Sequence, residues 1–123
     1  MSTTLEHFQA ATLSLTRTGS IKDRLSDAYR NHLAFVEPAD LPSDLSDEFR
    51  ALAYALTRER PLPGEDALRA TVRKMSSAEA AEVASAIVRI FAAVSRANMN
   101  GGRGAGKSGS NVVPFYLAEA SPS

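Results

Sequence analysis

The sequence predicts an all-α protein: a small bundle of three to five helices followed by a flexible, glycine-rich C-terminal tail. Three observations predict it. Apolar residues recur at spacings of three and four in successive stretches, the period of a helix with one buried face. Several of those stretches begin on a hydroxyl or carboxylate residue able to cap a helix start, and Pro or Gly separates them. The composition, 44% apolar and 23% charged over 123 residues, is that of an ordinary folded domain. Residues 1–19 form an N-terminal segment, 20–100 the bundle and 101–123 the tail.

In the N-terminal segment, Leu5, Phe8, Ala11 and Leu15 fit a helix face, whereas Leu13 and Leu15 alternate with polar neighbours as in a strand. The segment is read as a short helix stopped by Gly19. Ser20 with Asp23 then caps a helix over 21–35, with Ile21, Leu25, Ala28, Tyr29 and Leu33 inward. That helix must end before Glu37-Pro38, because a residue preceding proline avoids helical angles.

The link through Pro38 and Pro42 leads to a helix over 44–58. Leu45, Phe49, Leu52, Ala53 and Leu56 form its stripe, and Asp44, Asp47 and Glu48 favour the positive end of its dipole. Pro61 to Gly64 is a turn. A shorter helix over 65–74 places Leu68, Val72 and Met75 inward and Arg69, Arg73 and Lys74 outward. After a tight corner comes the clearest element, a helix over 76–98. Ser76 and Glu79 form a capping box, and Val83, Ile87, Ile90, Phe91 and Val94 form its stripe. Asn100 and Gly101 most easily take the left-handed conformation that ends a helix, which predicts its stop there.

The sequence excludes more chemistry than it indicates. With no cysteine, there are no disulfides, thiol nucleophiles or thiolate metal sites, which suits a reducing cytoplasm. Residues 1–20 carry Glu6 and no basic start, against a secretory signal, and no apolar run reaches membrane-spanning length. His7 and His32 are the only histidines, far apart in sequence and without cysteine, a poor basis for zinc. His32 is expected to be packed and hydrogen-bonded at the core edge. Asp44, Asp47 and Glu48 lack the spacing of a calcium loop. No serine sits in a nucleophile elbow. Neither a catalytic constellation nor a cofactor or metal site is identified.

Residues 101–108, Gly-Gly-Arg-Gly-Ala-Gly-Lys-Ser, satisfy the phosphate-binding pattern G-x-x-x-x-G-K-[ST]. That loop works between a strand and a helix; here it follows a helix and leads into Ser-Gly-Ser-Asn, so it is read as a linker. Beyond it, Val112 to Leu117 is an apolar hexapeptide on a tether, fit to dock on its own bundle or on another chain.

Net charge is zero but uneven: residues 1–68 carry −4 and residues 69–123 carry +4. Such polarity can orient association. The expectation is a small cytoplasmic interaction module, an adaptor, inhibitor or regulatory subunit without catalytic activity, that binds another protein or itself as a homo-oligomer. Its partner-binding candidates are Ile90, Val94, Phe115, Tyr116 and Leu117. The alternative is a nucleic-acid-associated accessory protein contacting its ligand through Arg69, Arg73, Lys74, Arg103 and Lys107. Neutral overall charge, and Glu79 and Glu82 early in the long helix, weigh against that alternative.

Overall fold

The computed structural model describes residues 3–102 and contains five α-helices: α1 (Thr4–Ser14), α2 (Ile21–Asn31), α3 (Ser43–Thr57), α4 (Ala67–Lys74) and α5 (Ser77–Gly102). The all-α expectation is met, and no strand occurs among the described residues. At 1.5 Å per residue, α5 is about 39 Å long and serves as the central post of the bundle. α1, α2 and α3 each pack against it, while α4 bridges α2 and α3.

The N-terminal segment is helical because its core face is the helical one. Phe8, Ala11 and Leu15 are buried, Leu5 is half-buried, and Leu13 stays 57% exposed. A strand reading pairs Leu13 with Leu15 on one face, and the burial separates them. A capping box not read from the sequence starts α1. Thr3 Oγ1 accepts from the Glu6 N–H at 3.1 Å, and the Thr3 N–H donates to Glu6 Oε1 at 2.9 Å. Phe8 crosses the core to meet Phe49 of α3 edge-on at 5.6 Å, worth about 1 kcal/mol beyond area burial.

Ser20 caps α2 as expected, its hydroxyl accepting from the Asp23 N–H at 3.1 Å. The helix predicted to run to residue 35 ends at Asn31 instead. His32 leaves helical geometry (φ −134°, ψ −56°), and Leu33–Phe35 form one 3₁₀ turn. This change of direction sends Leu33 and Val36 into the core while Phe35 remains 65% exposed. His32 is therefore a half-buried cap residue rather than a member of the buried helix face.

α3 and α4 fall close to their predicted ranges. α4 starts two residues later than predicted, because Asp66 is its cap and accepts from the Arg69 N–H at 2.9 Å. Before it, Gly64 takes φ +83° and the Glu65 N–H donates to the Leu62 carbonyl at 3.0 Å. A proline followed by glycine at that angle is a type II turn.

The Ser76–Glu79 capping box is present in both directions, at 2.9 and 3.0 Å. The far end of α5 departs from expectation: the helix continues through Asn100 and Gly101 to Gly102. Propagating a formed helix needs no new nucleus, so the cost of about 1 kcal/mol for a glycine does not stop it. The predicted boundary of the tail at residue 101 thus shifts by two residues; the rest of that segment lies outside the described residues.

Candidate interaction surface

α5 has two different sides. Toward the bundle, Ala80, Ala84, Ile87, Ile90 and Val94 are buried, and Val83, Ala86 and Phe91 are half-buried against them. This face accounts for two residues expected to meet a partner. Ile90 is 1% exposed and Val94 6%, so both are core residues of this chain, and reaching them requires opening the bundle. The apolar period that marked them is the signature of burial, and their own chain supplies the cover.

Among the described residues, no element covers the outward side of α5. Ala78, Ala81, Ser85, Val88 and Ala92 are all exposed there, with Glu82 and Arg89 along one edge. Glu79 is exposed beside them, so the charges lie to one side of a seam of small and aliphatic residues. Two hollows flank it. One, of about 750 Å³, lies between α3 and α5, with Ala51, Leu52, Ala55 and Val83 among its lining and charges of both signs, Glu48, Glu82, Arg58 and Arg89, around it. The other, of about 510 Å³, is framed by Leu15, Ile21, Ala81, Ala84, Ser85 and Val88 and is mostly apolar. Ser85 and Arg89 border both hollows and stand between them on the outer face of α5.

The cationic side chains of α4 are engaged differently. The Arg73 guanidinium donates to both Glu65 carboxylate oxygens, at 2.8 and 3.2 Å, and Lys74 Nζ donates to Glu59 at 3.3 Å. Arg30 of α2 makes the equivalent two-pronged pair with Asp66, at 2.6 and 3.2 Å. Hydrogen bonds from Arg73 and from the Leu62 backbone hold the Glu65 carboxyl at about 2. Those from Arg30 and the Arg69 backbone hold Asp66 at about 2 as well. Lys22 Nζ reaches the Arg73 carbonyl at 3.1 Å, capping the negative end of α4. Of the proposed nucleic-acid contacts, Arg73 and Lys74 therefore face acids of their own chain, and Arg69 is exposed. Arg103 and Lys107 lie outside the described residues.

Other candidates are dispersed. His7 stacks on Phe35 at 6.2 Å, and the carboxylates Asp44, Asp47 and Glu48 are exposed on α3. Among the described residues no three potential metal ligands converge. Among the described residues, no helix is long and apolar enough to cross a membrane. Phe115, Tyr116 and Leu117, and all of the glycine-rich motif beyond Gly102, lie outside the described residues.

Two anchoring residues escaped the sequence reading. Thr71, 2% exposed, donates to the Ala67 carbonyl at 2.8 Å and accepts from the Glu59 N–H at 2.9 Å, tying α4 to the segment after α3. Arg24 donates to the Leu15 and Gly19 carbonyls at 2.7 and 3.2 Å, closing the turn between α1 and α2. Apart from Ala67, one helical turn from Thr71, their partners are 5 to 12 residues away and no local pattern marks them. Comparison with family models, curated proteins and solved structures returns no match for this chain.

Proposed function

We propose that this chain is a protein–protein interaction module of the adaptor, inhibitor or regulatory-subunit kind, working in the cytoplasm without catalytic chemistry of its own. The observation that supports this reading is the outer face of α5, which no other described residue covers. A seam of small and aliphatic side chains, Ala78, Ala81, Ser85, Val88 and Ala92, runs along it, and a hollow lies on either side, one mixed and one mostly apolar. Water-exposed surface of this kind gains free energy when a second apolar surface covers it. The cysteine-free composition agrees with a reducing compartment.

A photoreactive residue placed at Ser85, compared with one at Arg69 on α4, tests the proposal in the full chain. Irradiation of purified protein, and of cells producing it, should yield protein adducts from position 85 in clear excess over position 69. Equal yields from the two positions, or none from position 85 in either setting, would defeat it.

A further inference from the structure

We infer that the occupant of this face is a second copy of the same chain, its α5 antiparallel to the first and crossing it between Ser85 and Ala86. This rests on the interaction reading above and names the partner.

Spacing comes first. Ala78, Ala81, Ser85, Val88 and Ala92 follow one another at intervals of three and four, all exposed. That alternation keeps a seam in contact with another helix over about four turns. Small side chains at most of these positions let two axes approach to the near end of the usual 8–10 Å.

Shape comes second. Ala81, Ala84, Ser85 and Val88 stand at i, i+3, i+4 and i+7, the four-cornered hole that receives a knob from a facing helix. In this chain that hole is an open hollow of about 510 Å³, walled further by Leu15 and Ile21. Val88, 43% exposed, is the large aliphatic side chain projecting from the same face. In an antiparallel pair crossing beside Ser85, each Val88 lies over the hole of the other chain. The surface is thus complementary to itself, the requirement of a two-fold interface.

Charge decides direction. Glu82 and Arg89 lie on the same edge of the face, and neither enters an ion pair among the described residues. Antiparallel pairing sets Glu82 against the partner's Arg89 and repeats the contact on the other side of the axis. Parallel pairing places the two copies of this edge on opposite sides of the interface, where neither Glu82 nor Arg89 meets an opposite charge of the pair, so only the antiparallel arrangement uses them.

The test uses full-length protein and sedimentation velocity across concentration. Glu82→Arg and Arg89→Glu each turn both facing pairs into like charges, and each should weaken dimerisation about tenfold or more. The double reversal, or an equimolar mixture of the two single variants, should restore it. Both side chains are exposed, and unchanged thermal melts establish that the variants fold. Because the chain has no cysteine, Glu82→Cys mixed with Arg89→Cys should form a mixed disulfide on mild oxidation far more readily than either alone.

Three results overturn the inference: a wild-type monomer at about 100 μM, charge variants that dimerise like wild type, or cysteine variants that each cross-link to themselves. Dimerisation abolished by deleting residues 103–123 but untouched by charge reversal overturns it too, since the tail is then the contact. If position 85 cross-links only to other proteins, this inference falls while the interaction module stands.

Discussion

α4 and α5 are neighbours in sequence, yet their outward sides are resolved in opposite ways. On α4 two of the three exposed cations are committed within the chain, Arg73 to Glu65 and Lys74 to Glu59, and the capping Asp66 is held by Arg30 of α2, while Arg69 stays exposed. On α5 the outer positions are mostly Ala, Ser and Val, and Glu82 and Arg89 have no ionic partner among the described residues. The difference separates a short helix fastened at its rim from a long helix fastened from behind. α4 buries Leu68, Ala70, Thr71 and Val72, and polar ties at its rim add to that docking. α5 has a full buried stripe and can leave its other side unsatisfied. The asymmetry lies in how each helix is held rather than in charge density.

The comparison breaks most visibly in the core. Ile87→Ala removes a fully buried side chain from the inward face of α5 and should cost about 2–5 kcal/mol. Urea denaturation measures it; a loss below about 1 kcal/mol would mean that α5 is not held from behind.

Next in size is Thr71→Val, which keeps the shape but leaves the Glu59 N–H without its acceptor. A loss of about 1–3 kcal/mol is expected in the same measurement. Hydrogen exchange should also show the amides of α4 opening more readily than those of α5.

Acid sharpens the contrast without mutation. Glu65 and Asp66 are each held at about 2 in the folded chain, below ordinary values of 4.5 and 3.8. Such groups bind fewer protons folded than unfolded, so their contribution is complete above about pH 5 and fades as pH falls toward 2. Between pH 5 and 2, α4 should lose exchange protection before α5 does. Glu65→Gln should flatten that part of the pH profile; an unchanged profile would assign the ion pair no role in anchoring.

The smallest effect on stability is expected one residue from the largest. Val88→Ala, on the outer face, should leave the monomer within about 0.5 kcal/mol of wild type. It should still weaken self-association measured by sedimentation. A monomer destabilised as much as by Ile87→Ala would erase the distinction between the two faces.

Local rules were legible because they act over one turn. Ser20 and Asp23, Ser76 and Glu79, and the prolines and glycine before α4 all worked as read, since each cap or turn joins residues three apart. The same locality explains the misses. Nothing near His32 signals that Leu33 and Val36 will be drawn into a core built by other helices. Thr71, Arg24 and Lys22 bond to partners 5 to 51 residues away, beyond the reach of any periodic pattern. Ile90 and Val94 show the limit most clearly. Their spacing announces a buried stripe, but not whose side chains bury it.

The sequence by itself determined that this protein is helical, where most helices begin, and which positions carry the apolar stripes, because propensity, capping and period depend on neighbours within a turn. Only the tertiary structure decided that α5 stands at the centre, that its stripe is sealed by its own chain, and that no other described residue covers its opposite side. Those outcomes depend on how five helices share one interior, and the free energy of burial acts on area covered in space, whatever the separation along the chain.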